Sequence, residues 1–208
     1  QQLGYVEKDP TLDVGGIDTA HKISLLTACA FGTRINFENV VTKGIQNVSL
    51  VDIKNAESMG YTIKLMALSS KSEDGITQEV EPCLVPKDSI FGKLEGGTNL
   101  VMVEGDCSEK TYYVGPGAGS GPTASAVAAD IIDIAQGRRS SVFGINANNL
   151  KLLVNKNKDL PSSFYLRFLL VDKPGTLSQL SAILGKYHIS INRMNQLYHS
   201  GENAPVLI

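Results

Sequence analysis

Residues 23–32 read ISLLTACAFG, apolar on nearly every face, and this pattern predicts a helix that starts near Gly16, is buried on most sides and stops at Gly32. Residues 33–45 mix short apolar runs with turn formers. Ser49 followed by Asp52 has the form of a capping box, and Leu50, Ile53 and Ala56 make a helical stripe that Gly60 ends. Two alternating runs follow, YTIKLMALS at 61–69 and ITQEVEPCLVP at 76–86, in which Ile76, Gln78 and Val80 alternate with Thr77, Glu79 and Glu81. With SSKSEDG between them they predict a β-hairpin with a long turn. A short helix or turn near 89–94 precedes two more strands, TNLVMVEGD and TYYVG, joined by CSEK. The predicted class is α+β, a largely antiparallel sheet with helices packed on it.

VGPGAGSGPT at 114–123 runs from a strand into an alanine-rich helix, SAVAADIIDIAQG, with Pro122 near its first turn. Free N–H groups and the helix dipole at such a start favour an anion or cofactor. A tight turn that lets a small-residue helix pack closely is the alternative. Gly119, Gly121 and Ala124 satisfy GxGxxA, but a dinucleotide fold needs a second parallel strand ending in an acid about 20 residues on. Here the helix continues into Gly137 and Arg138-Arg139, so the match reads as fortuitous. Residues 138–163 carry RRSS, NANN and NKNKDLPSS around an apolar LKLLV and predict a linker with one ordered patch. From Phe164 the pattern changes to a strand, FYLRFLLV, a DKPGT turn, a helix with Leu177, Leu180, Ile183 or Leu184 and Tyr187 on one face, and a second strand, ISINRMNQL. That is one βαβ unit.

Composition narrows the function. The 208 residues hold one or two domains, and 42% hydrophobic content suffices for an ordinary core. A net charge of −2 with interspersed signs leaves no basic stripe for nucleic acid, and no apolar run reaches the ~18 residues of a membrane span. Cys29, Cys83 and Cys107 are odd in number and far apart, and His21, His188 and His199 form no cluster. The expectation is no disulfide, no metal site and a reducing, cytoplasmic setting.

The chemistry concentrates in residues 5–22, YVEKDPTLDVGGIDTAHK, where Glu7, Asp9, Asp13 and Asp18 precede Lys22. Asp18 and Lys22 are four apart, so on a helix they share a face. Glu7 and Asp13 read as loop residues able to fold back toward the helix entry, giving anionic groups for an amine and a cation for a carboxylate or hydroxyl. The plainer reading is a solvated helix pair, with Asp9-Pro10 as N-cap and first helical residue. Against it stands the apolar run after Lys22. A lysine at the mouth of a buried helix is poorly solvated, and desolvation lowers an amine's pKa toward a range useful for proton transfer.

GYVEKDPTLDVGGIDTAHK closely resembles the signature of homoserine dehydrogenases, in which G, an aromatic, D-P, D-V, G, D and K recur in this order. Val6 departs from the family's usual small residue without touching a charged position. GPGAGSGPTASAV resembles the family's second stretch, placed after the sheet and before a helix that returns to the nucleotide-binding domain. Asp172, Pro174, Gly175, Leu177 and Asn192 match the opening half of an ACT domain, so the α+β fold is expected to be followed by a partial ferredoxin-like βαββαβ module whose last helix and strand are lacking. The organisation implied is a catalytic and dimerisation domain over 1–137, a linker over 138–163 and a partial ACT domain over 164–208.

The resemblance implies an NAD- or NADP-dependent oxidoreductase interconverting L-homoserine and L-aspartate 4-semialdehyde in threonine, methionine and isoleucine biosynthesis. Lys22 is then the general acid and base, with Asp18 beside it. Glu7 and Asp13 bind the substrate amino group with Tyr5 close by, and Gly119 with Gly117 lies by the cofactor. The nucleotide-binding domain is expected to precede Gln1 and to be lacking here, which leaves Ala124, Ala128 and Ala135 as its contact face. A homodimer or higher homo-oligomer is implied, paired through the sheet. Threonine is the implied effector, at Asp172, Gly175 and Asn192, although these could be only a turn aspartate, its glycine and a surface strand residue. Competing readings are a non-catalytic amino-acid sensor built on a dimerising platform and a purely structural interaction fragment; neither needs the acids around Lys22.

Overall fold

The computed structural model describes residues 10–138, 143–154, 162–196 and 202–208, and the chain divides into two compact units, Gln1–Lys158 and Asp159–Ile208. The first unit begins with α1 (Thr11–Val14) and α2 (Ile17–Phe31), followed by β1 (Val41–Thr42), α3 (Leu50–Ser58), β2 (Tyr61–Ser72) and β3 (Gly75–Pro86). β4 (Thr98–Gly105), β5 (Glu109–Pro116) and α4 (Ser120–Ala135) complete it. β2 and β3 pair antiparallel along their whole length, and β1 joins in parallel at Glu79 and Val80, giving the order β1-β3-β2. β4 and β5 form a separate antiparallel hairpin. The architecture is α+β with largely antiparallel pairing, as the pattern predicts.

The seat of α2 on the sheet organises this unit. Its buried side chains are Ala20, Ile23, Ser24, Thr27 and Ala28, a stripe at i, i+3, i+4, i+7 and i+8. Ala20 and Ile23 pack with Val40 and Val80, flanked by Leu65 and Ala67. Mostly small residues on this stripe let the helix approach closely. The Thr27 hydroxyl donates to the Ile23 carbonyl (2.7 Å) and lies 2.7 Å from Ser69 Oγ on β2, so the polar atoms of the stripe are matched. The run ISLLTACAFG is therefore buried on one side only. Leu25, Leu26 and Cys29 are exposed, which corrects the expectation of burial on most sides: their apolarity exceeds the cover this chain supplies.

The helix enters through Gly16, where φ is 76°. An added Cβ there would lie 3.2 Å from Val80 Cγ1 and 3.3 Å from Thr42 Cγ2, so both backbone conformation and space require glycine. Ile45 N–H donates to the Val14 carbonyl (2.9 Å) and Lys43 N–H to the Val80 carbonyl (2.7 Å), tying the α1–α2 junction to the sheet. At the other end, α2 stops at Gly32 (φ 62°) as predicted. Thr33 then bridges to Lys151, Arg34 Nε donates to the Leu150 carbonyl (2.9 Å), and Ile76 N–H donates to the Val154 carbonyl (3.0 Å). The apolar patch at 150–154 thus runs beside the end of α2 and the start of β3, where β1 does not reach.

Two local readings are corrected. The capping box at Ser49 and Asp52 forms, but Asn55 and Ala56 are the buried residues of α3 and Leu50 faces solvent, so the stripe is rotated. The β2–β3 turn is not long: Ser72 pairs with Gly75, leaving Glu73 and Asp74 as the whole turn. Ser70, Lys71 and Ser72 look like turn residues by polarity, yet the backbone ladder accepts them because an exposed strand end does not require apolar side chains.

In the second unit, β6 (Arg167–Val171), α5 (Thr176–Lys186), β7 (Asn195–Gln196) and β8 (Asn203–Leu207) form a helix and an antiparallel sheet of order β6-β8-β7. β6 and β7 are parallel but not adjacent. β8 lies between them, the split form of the predicted βαβ unit. The predicted strand ISINRMNQL is ordered as strand only at Asn195–Gln196, with Asn192 in a bend before it. Leu184, Ala204, Val206 and Leu207 are buried, so Leu184 rather than Ile183 is the inward residue of α5.

The Gly16 packing predicts that Gly16→Ala lowers unfolding stability by about 1–3 kcal/mol, through positive-φ strain and the close methyl contacts. Denaturant unfolding of this chain measures it, and an unchanged midpoint would contradict the close approach described.

Candidate active site

Asp18 and Lys22 occupy the first two turns of α2, on the side opposite the buried stripe. The Lys22 Nζ to Asp18 Oδ2 distance is 2.7 Å, with side chains 55% and 46% exposed. The acid precedes the lysine by four residues and lies near the positive end of the helix dipole, the favourable order for both effects. An exposed pair of this kind contributes only about 0.3–0.5 kcal/mol to stability. The desolvation expected for Lys22 at the mouth of a buried helix is not supplied by the described residues, because its side chain is 55% exposed.

Asp13 is on α1 rather than in a loop, exposed, and its carboxylate makes no hydrogen bond or ion pair among the described residues. α1 leads into Gly15 and Gly16 and so into α2, which places Asp13 one short turn before the helix entry. Tyr5 and Glu7 lie outside the described residues. Next to Lys22, the His21 ring packs on Phe37 with centroids 4.1 Å apart and planes tilted by 43°. The sequence pattern carries no signal for this stack, because His21 and Phe37 belong to separate elements.

Gly117 and Gly119 follow β5 and lead into α4. Gly119 is the residue before the helix, with φ 117°, and a Cβ at Gly117 would overlap the Asn99 side-chain amide. Asn99 itself donates to the Gly97 carbonyl (3.4 Å), the backbone role that a polar residue at a strand start usually takes. A turn stripped of side chains ahead of a 16-residue helix presents backbone N–H groups, a donor set that suits an anionic group. The alternative reading, close packing of a small-residue helix, finds no partner among the described residues: every residue of α4 is exposed, including Val127, Ile131 and Ile134.

In the second unit a cavity of about 370 Å³ is lined by Asp172, Lys173, Gly175, Leu177 and Gln196, among others. Gln196 Nε2 donates to Asp172 Oδ1 (3.1 Å), joining the DKPGT turn to β7. Gly175 carries φ 94° at the start of α5. Asn192 is not part of the cavity lining. Among the described residues no three His, Cys, Asp or Glu side chains gather as a metal site, and no helix is long and apolar enough to cross a membrane.

With this geometry in hand, the family described as homoserine dehydrogenase matches residues 1–132, the part that holds the Asp18–Lys22 pair and the glycine turn. The chain belongs to that family. It is 40% identical over 203 residues to the homoserine dehydrogenase of Neisseria gonorrhoeae, covering 94% of this chain and 47% of the relative. The crystal structure of a homoserine dehydrogenase from Thiobacillus denitrificans matches 100% of this chain and 48% of its own, with a TM-score of 0.82 and 36% identity. A hyperthermophilic archaeal homoserine dehydrogenase mutant, solved in complex with NADPH, matches 65% of this chain and 38% of its own, with a TM-score of 0.52 and 29% identity. The chain spans about half the length of the curated relatives it matches.

Because the Asp18–Lys22 pair is exposed, Asp18→Asn and Lys22→Met are each expected to change unfolding stability by less than about 0.5 kcal/mol. Thermal or urea unfolding gives the number, and a loss of several kcal/mol would mark the pair as a structural element instead.

Proposed function

We propose that this chain supplies the substrate side of a homoserine dehydrogenase active site for the reversible conversion of L-aspartate 4-semialdehyde and L-homoserine. The observation that carries the reading is the 2.7 Å Asp18–Lys22 pair on the outward face of α2, within the region that the family matches. A pair that contributes little to stability, held outward by a well-seated helix, is accessible to a substrate, which supports the reading. A bound nicotinamide cofactor, NAD or NADP, supplies or accepts the hydride. Lys22 Nζ gives its proton to the aldehyde oxygen in reduction and takes the hydroxyl proton in oxidation, while Asp18 Oδ2 holds the amine or a water in reach. Glu7 and Asp13 bind the substrate amino group, with Tyr5 beside them.

The cofactor is held mainly by a nucleotide-binding domain outside this chain, with the turn at Gly117 and Gly119 against it; the NADPH complex of the archaeal relative supports a phosphate-bearing partner of this kind. Exposed apolar residues on α4 support a contact of that helix with the same domain. Exposed Val103, Tyr113 and Val114 on the β4–β5 hairpin support pairing of sheets in a homodimer or higher oligomer, because a two-stranded hairpin gains stability from further strands. We assign residues 1–137 to catalysis and dimerisation, 138–163 to a connection, and 164–208 to the first half of an ACT-type module. The β6-β8-β7 order and the cavity at Asp172 and Gly175 support a small-molecule effector site there, for which threonine is the family's candidate; Asn192, outside the cavity lining, is left without a contact to it. Free, widely spaced thiols are in keeping with a cytoplasmic biosynthetic oxidoreductase.

In the full-length enzyme, Lys22→Ala is expected to reduce turnover by about two orders of magnitude or more, the range of general acid–base catalysis; near-normal turnover would sink the assignment. Glu7→Ala should chiefly raise KM, and an unchanged KM would leave Glu7 a loop or cap residue. Calorimetry on this chain with threonine, homoserine and NADPH separates the readings: threonine binding that is lost in Asp172→Ala supports the effector module, and its absence removes it.

A further inference from the structure

On a helix, side chains lean toward the N-terminus over the residues three and four positions earlier. Asp18 therefore lies beneath two rivals, His21 at i+3 and Lys22 at i+4. An imidazole that turned onto Asp18 would take the carboxylate from Lys22 by donating a ring N–H. The structure shows a different arrangement: the His21 ring is packed on Phe37, 4.1 Å between centroids, and Asp18 Oδ2 meets Lys22 Nζ at 2.7 Å. Among the described residues the imidazole has no hydrogen bond or ion pair. Phe37 is itself well anchored. It opens the short turn Phe37–Asn39, closed by a hydrogen bond from Val40 N–H to the Phe37 carbonyl (3.1 Å), and Val40 is buried against Ala20, Ile23 and Val80 in the core under α2. The backbone of Phe37 is thus tied to the core under α2, and its exposed ring lies against the His21 ring.

We infer that Phe37 is a positioning residue for the Asp18–Lys22 pair: by holding the His21 ring it leaves the Asp18 carboxylate to Lys22. The consequence for turnover rests on the role of Lys22 proposed above, whereas the effect on the pair itself does not. His21 contributes no chemistry in this scheme, and it disturbs the pair only when its ring is released.

The test is a rescue. In the full-length enzyme Phe37→Ala should lower kcat about fivefold to tenfold, the scale of a small misplacement of a catalytic group, with KM within about twofold. Adding His21→Ala, which removes the rival, should restore kcat. If Phe37→Ala fails to fold, Phe37→Leu keeps most of the volume without the ring face and serves in its place. A double variant no better than the single one, or a single variant equal to wild type, overturns the inference. The second readout is independent of activity: in lysine-15Nζ-labelled protein the Lys22 signal that moves in Asp18→Asn should move the same way in Phe37→Ala and return in the double variant. Should Lys22→Ala keep near-normal turnover, the functional reading fails, and this signal still decides the positioning: no movement in Phe37→Ala overturns it.

Discussion

The structure depends first on how closely α2 can lie on the β2–β3 hairpin. Ala20, Ser24, Thr27 and Ala28 line the contact, and Gly16 lets the chain turn into the helix against Val80 and Thr42 with no side chain in between. A larger residue anywhere on this stripe would lift the helix, since packed interiors leave no slack for an added methylene. The seat determines the rotation of α2 about its axis. With one face committed to the sheet, Asp18 and Lys22 are committed to the other, so the ion pair inherits its direction from the buried stripe of Ala20, Ile23, Ser24, Thr27 and Ala28.

The same commitment leaves apolar surface uncovered. Leu25 and Leu26 on α2, Val127, Ile131 and Ile134 on α4, and Tyr113 and Val114 on β5 are all exposed. Apolar surface left in water forgoes about 25 cal/mol per Å² relative to burial, and where exposed apolar residues are contiguous they mark contact sites more often than plain surface. They lie on the elements that carry the two features of the proposed site, the outward face of α2 and the turn before α4. A lysine with solvent on this side and apolar neighbours along its helix is ready to be desolvated by whatever covers that face. The solvated state of the pair and the proposed role in proton transfer are in this way compatible.

How much of the site was legible depended on the range of each interaction. The Asp18–Lys22 pair is a four-residue relation on a helix, and spacing alone places both on one face. Glycine caps at Gly16 and Gly32 and the capping box at Ser49 are equally local, and each formed where its residues stand. The His21–Phe37 stack was not legible, because Phe37 reaches α2 only after the chain has passed around the helix end. Asp13 was read as loop for a related reason: a helix of four residues carries too few positions for a periodic signal, and the hydrogen bonds of Val14 and Gly15 to Pro10 and Thr11 decided it.

By itself the sequence determined the class of fold, the order of the longer helices and strands, and the shared helix face of Asp18 and Lys22, since these follow from periods of two and 3.6 and from capping and turn residues within a few positions. Tertiary structure decided which apolar residues are inside, how far the strands extend, and which strand lies between which. The apolar run of α2 cannot announce how many of its faces will find a partner, and the polar end of β2 cannot announce that Gly75 will pair with Ser72. Those outcomes depend on contacts between residues distant in the chain, where burial and backbone pairing override local polarity.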